Sequence, residues 1–503
     1  MYRLPVVQHC DVSPDSGLVG RAEAFAERLV RDEPTLGPGG PFRDLVLDHL
    51  EEGPTLHIDD LGEIPLLERF HSAVFLEDRA RLRAGSGDFV ATCAPPNPRF
   101  VDYTEHQLGL GDVRWLYPVP RSDPLRVATA SWTDRSVRRL LLHALRTDRL
   151  RYVHPNMGTC AVWAVAKLLQ SASRRPISVI APPPVLTHKV NDKIWFTRVV
   201  KHLFGRHLVP RTMEVFNYTA LAAAVCHLLH DGSRAIVVKV PDSAGGSGNL
   251  VLDPARVRGD SMAGVRRRLK KQLRELPWEP GARLLVGVWE SDVLAAPSSQ
   301  LWIPAEADGL PVVEGLYEQA IEGPTGEFRG SRPARLPQEF LEEFAACSWV
   351  LARLFQRLQY VGRCSFDAIL VGTDLRSARL ELIECNGRWG GTSTPMTLVN
   401  RLFGDWENKP YAARKCMVDG LREKSFDDVL THFEPATLDV RTGRGSLVFY
   451  NPGRIRADSG IDAVAFADDW DRASNLVQYD VPNRLREMVA VGMPLRQRSS
   501  CNA

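Results

Sequence analysis

The chain has 503 residues, 44% of them hydrophobic and 25% charged, with a formal net charge of +2. That is the make-up of a folded protein with several cores, about three domains on the usual length scale. A balance so close to neutrality gives no electrostatic case for nucleic acid or an anionic membrane as partner, and apolar runs of at most about ten residues are too short to span a bilayer.

In chain order, residues 1–125 alternate apolar segments (Asp88–Thr92 and Val113–Tyr117) with helical patterns (Leu18–Arg31 and Phe42–Leu50), broken by LGPGGP and APPNP. From Thr133 the rhythm becomes helix Ser136–Arg146, strand Tyr152-Val153, helix Thr159–Ser171 and strand Ile177–Ile180. Strands alternating with helices predict a parallel, doubly wound sheet. Asn191-Asp192 suits the N-cap of a helix over Lys193–Phe204, and Tyr218–His230 reads as another. His227 and His230 share a helix face without a further ligand nearby in sequence, so they read as structural. Arg234–Val240 is a strand followed by the loop PDSAGGSG. After Asp260-Ser261, a helix carries Arg266, Arg267, Arg268, Lys270, Lys271 and Arg274, read as a solvated face. Strands follow at Arg283–Trp289 and Gln300–Ile303, then an amphipathic helix over Pro337–Gln359. Cys364–Val371 and Leu380–Cys385, joined by a polar connection, predict an antiparallel hairpin. Helices are expected at Met396–Phe403 and Pro410–Asp419. From about Phe426 a third unit begins, with strands at 447–450 and 461–466.

The nine cysteines are scattered without a CxxC pair, and several sit in apolar runs. They predict reduced thiols in a cytoplasmic protein, not disulfides or a zinc site. The first residues, MYRLPVVQHCDVSPD, lack the basic start and apolar core of an export signal.

The most informative stretch is LELIECNGRWGGTSTP, Leu380–Pro395. Alternate side chains of a strand share a face, so Glu384, Asn386 and Arg388 point into one place. A carboxylate and an amide oxygen suit a hard cation such as Mg²⁺. A guanidinium beside them suits a phosphoryl group. An ordinary polar strand end is the competing reading. Asp367, between Phe366 and Ile369, can face Glu384 across the hairpin, and a buried carboxylate there is costly unless paired or metal-bound. Gly245, Gly246 and Gly248 follow the strand that ends near Lys239, and their N–H groups could approach an anion closely. The loop is neither the GxxxxGK[ST] nor the GxGxxG pattern, and a flexible turn is its competing reading. Lys193 alone reads as a solvated charge.

Together, Asn191-Asp192-Lys193, Lys239 with GGSG, FDAIL around Asp367, and ECNGR resemble the ATP-grasp superfamily over about 186–415. The resemblance implies an α/β and α+β architecture. An N-terminal α/β domain (1–185) would precede a two-lobed ATP-grasp domain (186–420) and a small C-terminal domain (421–503). It implies that Lys193 and Lys239 contact ATP phosphates, and that Gly245, Gly246, Ser247 and Gly248 close over them. Asp367, Glu384 and Asn386 would hold Mg²⁺, as two ions. Arg388 would stabilise the transferring phosphoryl group or acyl phosphate. The adenine hinge would lie at Val288, Trp289 and Glu290, although Gly287 stands about where the common pattern has an acidic residue.

The long N-terminal region, the THKVNDK entry, the ECNGRWGGTS run and the small C-terminal unit together look like the peptide ligases of the pheganomycin type. That likeness implies ATP-dependent joining of a small-molecule carboxylate to an amino acid or peptide, releasing ADP and phosphate, in natural-product biosynthesis. It allows a homodimer. The segment GEFRGSRP, 326–333, is read as a substrate-proximal loop in which Arg329 or Arg332 clamps the donor carboxylate, with an exposed loop arginine as the competing reading. Two other functions fit the same fold: a nucleotide-binding regulator, and a phosphotransferase that forms no amide.

Overall fold

Short strands of β-branched and aromatic residues, each followed by a helix, build an all-parallel sheet at the N-terminal end. Its order is Arg114–Leu116, Phe89–Ala91, Thr55–Ile58, Tyr152–Pro155, Ser178–Val179. The computed structural model describes residue 12 and residues 14–491, apart from 38–39, 65–75, 120–124, 244–247, 258, 276–277, 324 and 405–408. Helices Arg135–Arg146 and Cys160–Ser173 start where expected. The Asp134 carboxylate accepts from the N–H groups of Ser136 and Val137, and the Thr159 hydroxyl accepts from that of Val162. Their apolar faces close over the sheet in one core with Leu56, Phe89, Val153 and Val179. The segment Phe42–Leu50 is not the expected helix. It has one 3₁₀ turn, Arg43–Leu45, after which Val46 bridges to Val179 at the sheet edge. Pairing to the sheet there satisfies backbone groups that a helix would have satisfied internally.

A second sheet is antiparallel, in the order Thr212–Val215, Leu284–Val288, Ile236–Lys239, Asn249–Leu252. Helices Tyr218–His230 and Met262–Gln272 cover it around Leu221, Val225, Val238, Leu269 and Val286. Gly287 is required by close strand approach, since a β-carbon there would lie 2.7 Å from the Arg211 carbonyl oxygen and 2.6 Å from Thr212 Cγ2. The basic cluster of the second helix is exposed, as expected of a solvated face.

The third sheet has nine strands. Gly362–Val371 pairs with Arg379–Asn386 on one side, giving the expected hairpin, and with Val293–Ala295 and Pro297–Ile303 on the other. The sheet continues through Val312–Glu322, Glu327–Pro333, Tyr411–Met417 and Gly460–Phe466 to Leu447–Tyr450. Two expectations fail here. Within the expected helix Pro410–Asp419, Tyr411–Met417 is a strand, because it is hydrogen-bonded on both edges, and that pairing overrides the helical preference of Ala412 and Ala413. The segment expected as a loop at 326–333 is likewise a strand, Glu327–Pro333. Its polar residues pair with Val312–Glu322 on one edge and Tyr411–Met417 on the other. Helix Gln338–Arg357 packs Phe344, Leu351 and Phe355 beneath Phe366 and Leu382 of the hairpin. The strands beyond residue 440 share a core with Phe100, Tyr103 and Met396, so the C-terminal segment is welded to both earlier parts.

Among the described residues, no helix is long and apolar enough to cross a membrane. The described cysteines are free, and Cys364 and Cys385 approach to 3.7 Å between sulfurs without a bond.

Candidate active site

A β-bulge re-aims the hairpin. Asp367 is opposite Glu384 and Ser365 opposite Asn386, but Ala368 is opposite Leu382, which leaves Ile383 as an extra residue. The bulge sets Glu384 and Asn386 on the face that carries Asp367. The neighbouring strand on the other side places Ser298 opposite Asp367.

Asp367 is buried and accepts hydrogen bonds at both oxygens. The Ser298 hydroxyl donates to Oδ1 at 2.6 Å and the Gln319 amide donates to the same oxygen at 2.8 Å. The Asn386 amide nitrogen donates to Oδ2 at 2.8 Å, which turns the Asn386 carbonyl oxygen away from Asp367. Burial, then the Glu384 carboxylate beside it, pushes the Asp367 carboxyl up to about 7, against the pull of Ser298, Arg388 and Gln319. Burial acts on Glu384 in the same direction, but Lys193, Lys239 and Arg388 together hold it below the ordinary range. The two carboxyls are thus driven apart in acidity by the cations around one of them.

The cations come from the facing elements. Helix Lys193–Phe204 is capped by the Asp192 carboxylate, which accepts from the N–H groups of Ile194 and Trp195. The cap fixes Lys193 in the first turn, with its ammonium 3.1 Å from Glu384 Oε2 and donating to the Ser243 carbonyl at 2.6 Å. Lys239 ends its strand with its ammonium 5.9 Å from the Trp289 ring centre. Burial, with Lys193 adding to it and Glu384 opposing, brings the Lys239 ammonium down to about 8. Gly248 closes the glycine loop. Its carbonyl accepts from the Val240 N–H at 3.0 Å, and a β-carbon there would stand 2.1 Å from Ser243 Oγ. Gly245, Gly246 and Ser247 lie outside the described residues.

One cavity of about 600 Å³ is lined by Lys193, Lys239, Val288, Trp289, Glu290, Asp367, Glu384, Asn386 and Arg388. These expected site residues, spread over almost 200 positions of sequence, therefore meet. The Val288 and Trp289 N–H groups donate to the Arg211 and Ala235 carbonyls, both at 3.0 Å, and the Glu290 carboxylate is 3.2 Å from the Arg379 guanidinium.

Arg332 is not among the residues lining the cavity. Ser331 is the register partner of Gln319, whose amide reaches Asp367, so Arg332 falls on the other face of the sheet, 3.4 Å from Glu318. Arg329 is likewise taken up by Glu327 at 2.8 Å. The expected donor clamp at these two residues therefore has no place in the cavity. The cationic side chains that do line that wall are Arg79, Arg414 and Lys415.

Sequence reasoning missed Asn191. Its carbonyl oxygen accepts from the Arg388 guanidinium and, at 3.2 Å, from the Gly387 N–H. Its own amide donates to the Thr187 carbonyl at 2.8 Å. Asn191 therefore aims Arg388, and its position beside a helix cap concealed it as an ordinary polar residue. Trp389 anchors the same segment to the N-terminal sheet. Its backbone N–H donates to the Asn156 carbonyl at 2.9 Å and its indole to His154 Nε2 at 3.2 Å.

His227 lies beside Arg211 and Asp231 at the surface, a structural arrangement. Glu63, Cys160 and His188 also come together at the surface, where both Glu63 oxygens accept backbone N–H groups, from Cys160 and Ala161.

No protein-family model matches the chain, and no curated protein sequence matches it. Solved structures do. An N5-carboxyaminoimidazole ribonucleotide synthetase in complex with ADP superposes with a TM-score of 0.52 at 13% identity, over 87% of this chain and 97% of that one. The N5-carboxyaminoimidazole synthetase of Staphylococcus aureus gives a TM-score of 0.51 at 11% identity, over 88% of this chain and 99% of that one, and its ADP complex gives the same values. At such identities the likeness concerns the fold: this chain has the ATP-grasp fold, with one parallel sheet and two antiparallel ones.

Proposed function

We propose that this chain is an ATP-dependent carboxylate–amine ligase that joins a small-molecule carboxylate to the amino group of an amino acid or peptide, in the manner of the pheganomycin-type peptide ligases, and releases ADP and phosphate. The observation that carries the reading is the convergence of Asp367, Glu384, Asn386 and Arg388 on one wall of a cavity whose other wall holds Lys193 and Lys239. A fold that only bound a nucleotide would have no use for that whole set.

The residues fit a magnesium nucleotide. Asp367, Glu384 and the Asn386 carbonyl supply oxygen donors only, as Mg²⁺ requires. Asp367 is buried beside a second carboxylate, and that crowding is what a divalent cation relieves. Bound there, the ion would neutralise charge on the phosphoryl oxygens.

The chain's own residues then have distinct tasks. Lys193 and Lys239 receive phosphate oxygens, the first from a helix end and the second from a strand end. The wall Val288–Glu290 suits the base, with the Trp289 ring as an apolar surface. Arg388, held by Asn191, faces the group being transferred and stabilises its charge. The donor carboxylate takes up the γ-phosphoryl group, because an oxide is too poor a leaving group for direct attack by an amine. The amine nitrogen then attacks the acyl carbon, the carbon–oxygen bond to phosphate breaks, and the nitrogen loses its proton. The task the resemblance gives to the 245–248 segment is to keep water from the acyl phosphate.

The test is incubation with ATP, Mg²⁺ and panels of carboxylates and amino acids, with the nucleotide product identified. ADP and phosphate together with an amide are expected. AMP and pyrophosphate would overturn the reading, and a phosphorylated product without amide would reassign it to phosphotransfer.

A further inference from the structure

We propose that the part of the cavity beside Arg79 and Lys415 is a subsite for a second acidic group of the small-molecule substrate, a carboxylate or a phosphate distinct from the carboxylate that is activated. The subsite deepens the ligase reading, which it needs only to say which molecule carries the group.

Lys415 lies four strands along the large sheet from Asp367, about 19 Å at the usual strand spacing. Both residues line the same cavity, so an elongated substrate can reach from one to the other. Arg79 comes from the N-terminal part of the chain and Lys415 from the strand that joins the C-terminal segment to the sheet. The wall is thus assembled from parts far apart in sequence.

The carboxylates at this end are already committed to other groups. Asp462 is the carboxylate that lines it, and it already accepts from the Arg454 guanidinium and the Asn451 amide. Arg454 is further held by Asp458 at 2.9 Å, and Arg414 by Glu322. That leaves Arg79 and Lys415. Arg79 donates through Nε to the Leu76 carbonyl at 3.2 Å, and the Lys415 ammonium stands 5.2 Å from the centre of the Phe328 ring. Neither has an ion-pair partner among the described residues. Burial brings the Lys415 ammonium down to about 8, with Asp462 opposing and with Arg454, Arg79 and Arg329 adding to the fall. Arg79 and Lys415 are half-buried, and their counter-charges, Asp462 for both and Asp59 for Arg79, act without a close ion pair, so an anion beside them supplies a direct partner that neither has. The Thr392 side chain lines the cavity at the start of helix Ser393–Phe403 and adds a neutral hydrogen-bonding group, whereas the Thr394 hydroxyl already donates to the Gly390 carbonyl at 3.2 Å.

The full-length protein, saturated with MgADP, is titrated calorimetrically with inorganic phosphate, with succinate, and with singly charged propionate. Phosphate or succinate is expected to bind more tightly than propionate. Lys415→Gln and Arg79→Gln should each weaken that binding about tenfold or more, the usual loss for a charge-assisted contact, with ADP affinity unchanged. Lys415→Arg, which keeps the charge, should retain it and so separates lost charge from lost fold. Binding of phosphate alone assigns a phosphorylated substrate, and binding of succinate a second carboxylate. The subsite is refuted if neither anion binds, or if binding survives both glutamine substitutions. It is refuted equally if binding depends on Lys239, which would place the anion at the nucleotide end. ADP binding reports on the ligase reading separately. If ADP fails to bind while anion binding still follows Lys415 and Arg79, that reading falls and the subsite stands.

Discussion

The ammonium of Lys193 stands 3.1 Å from the carboxylate of Glu384, which joins the start of a helix to the end of a strand in the opposite wall. The same ammonium donates to the Ser243 carbonyl at 2.6 Å. One side chain therefore links the acidic wall to the Ser243 backbone. Four predictions follow from this arrangement and its surroundings.

Replacing Glu384 or Arg388 by alanine should lower ADP formation by about 10²–10³-fold, the scale on which preorganised charge acts in a transition state. Circular dichroism should remain that of the parent protein. Variants that stay active would show that the chemistry takes place elsewhere.

Asn191 should act as a positioning residue. Its carbonyl oxygen is the acceptor that fixes the Arg388 guanidinium. Asn191→Leu is expected to lower kcat by about 10²-fold through misplacement of that group, with ADP affinity nearly unchanged. An equal loss of ADP affinity would point to local unfolding in its place.

Lys239 sets a pH dependence. Its folded pKa is depressed from 10.5 to about 8, mainly by burial. The stability linked to this group is thus fully present above about 10.5 and is lost as the pH falls through about 8. Nucleotide phosphates should favour the charged lysine, so ADP binding at pH 8.5 should take up protons. Calorimetry in buffers of different ionisation enthalpy measures that uptake, and Lys239→Met should remove it. Proton release would contradict the assignment.

Gly248 tests the loop base. A β-carbon at that position meets Ser243 Oγ at 2.1 Å and Ser243 Cβ at 2.3 Å. Gly248→Ala should therefore displace Ser243 and weaken nucleotide binding. The double substitution Gly248→Ala with Ser243→Gly removes the obstructing side chain and should recover most of the loss. If recovery is absent, the clash is not the cause.

Much of the framework was legible in the chain. Helices Lys193–Phe204 and Tyr218–His230 have the expected bounds, because both carry strong caps and apolar residues at helical spacing. The hairpin was legible from two apolar runs and a polar turn. Asp367 and Glu384 were legible because carboxylates inside such runs are costly without a role. The failures lay where local signals were weak or misleading. Tyr411–Met417 holds residues of good helical propensity, yet it is a strand because it has partners on both edges. Glu327–Pro333 is polar and rich in glycine and arginine, which hid a central strand as a loop.

By itself the sequence determined which segments could bury a face, which residues bring charge to strand ends, and the oxygen-donor chemistry of the Asp367–Glu384–Asn386 group. Tertiary structure alone decided that the bulge at Ile383 aims Glu384 at the cavity, that Asn191 holds Arg388, and that Arg332 faces away while Arg79 and Lys415 face in. The physical reason is the range of the interactions. Caps and periodicity act within a few residues, whereas register, sheet order and the pairing of buried charges are settled between segments hundreds of residues apart.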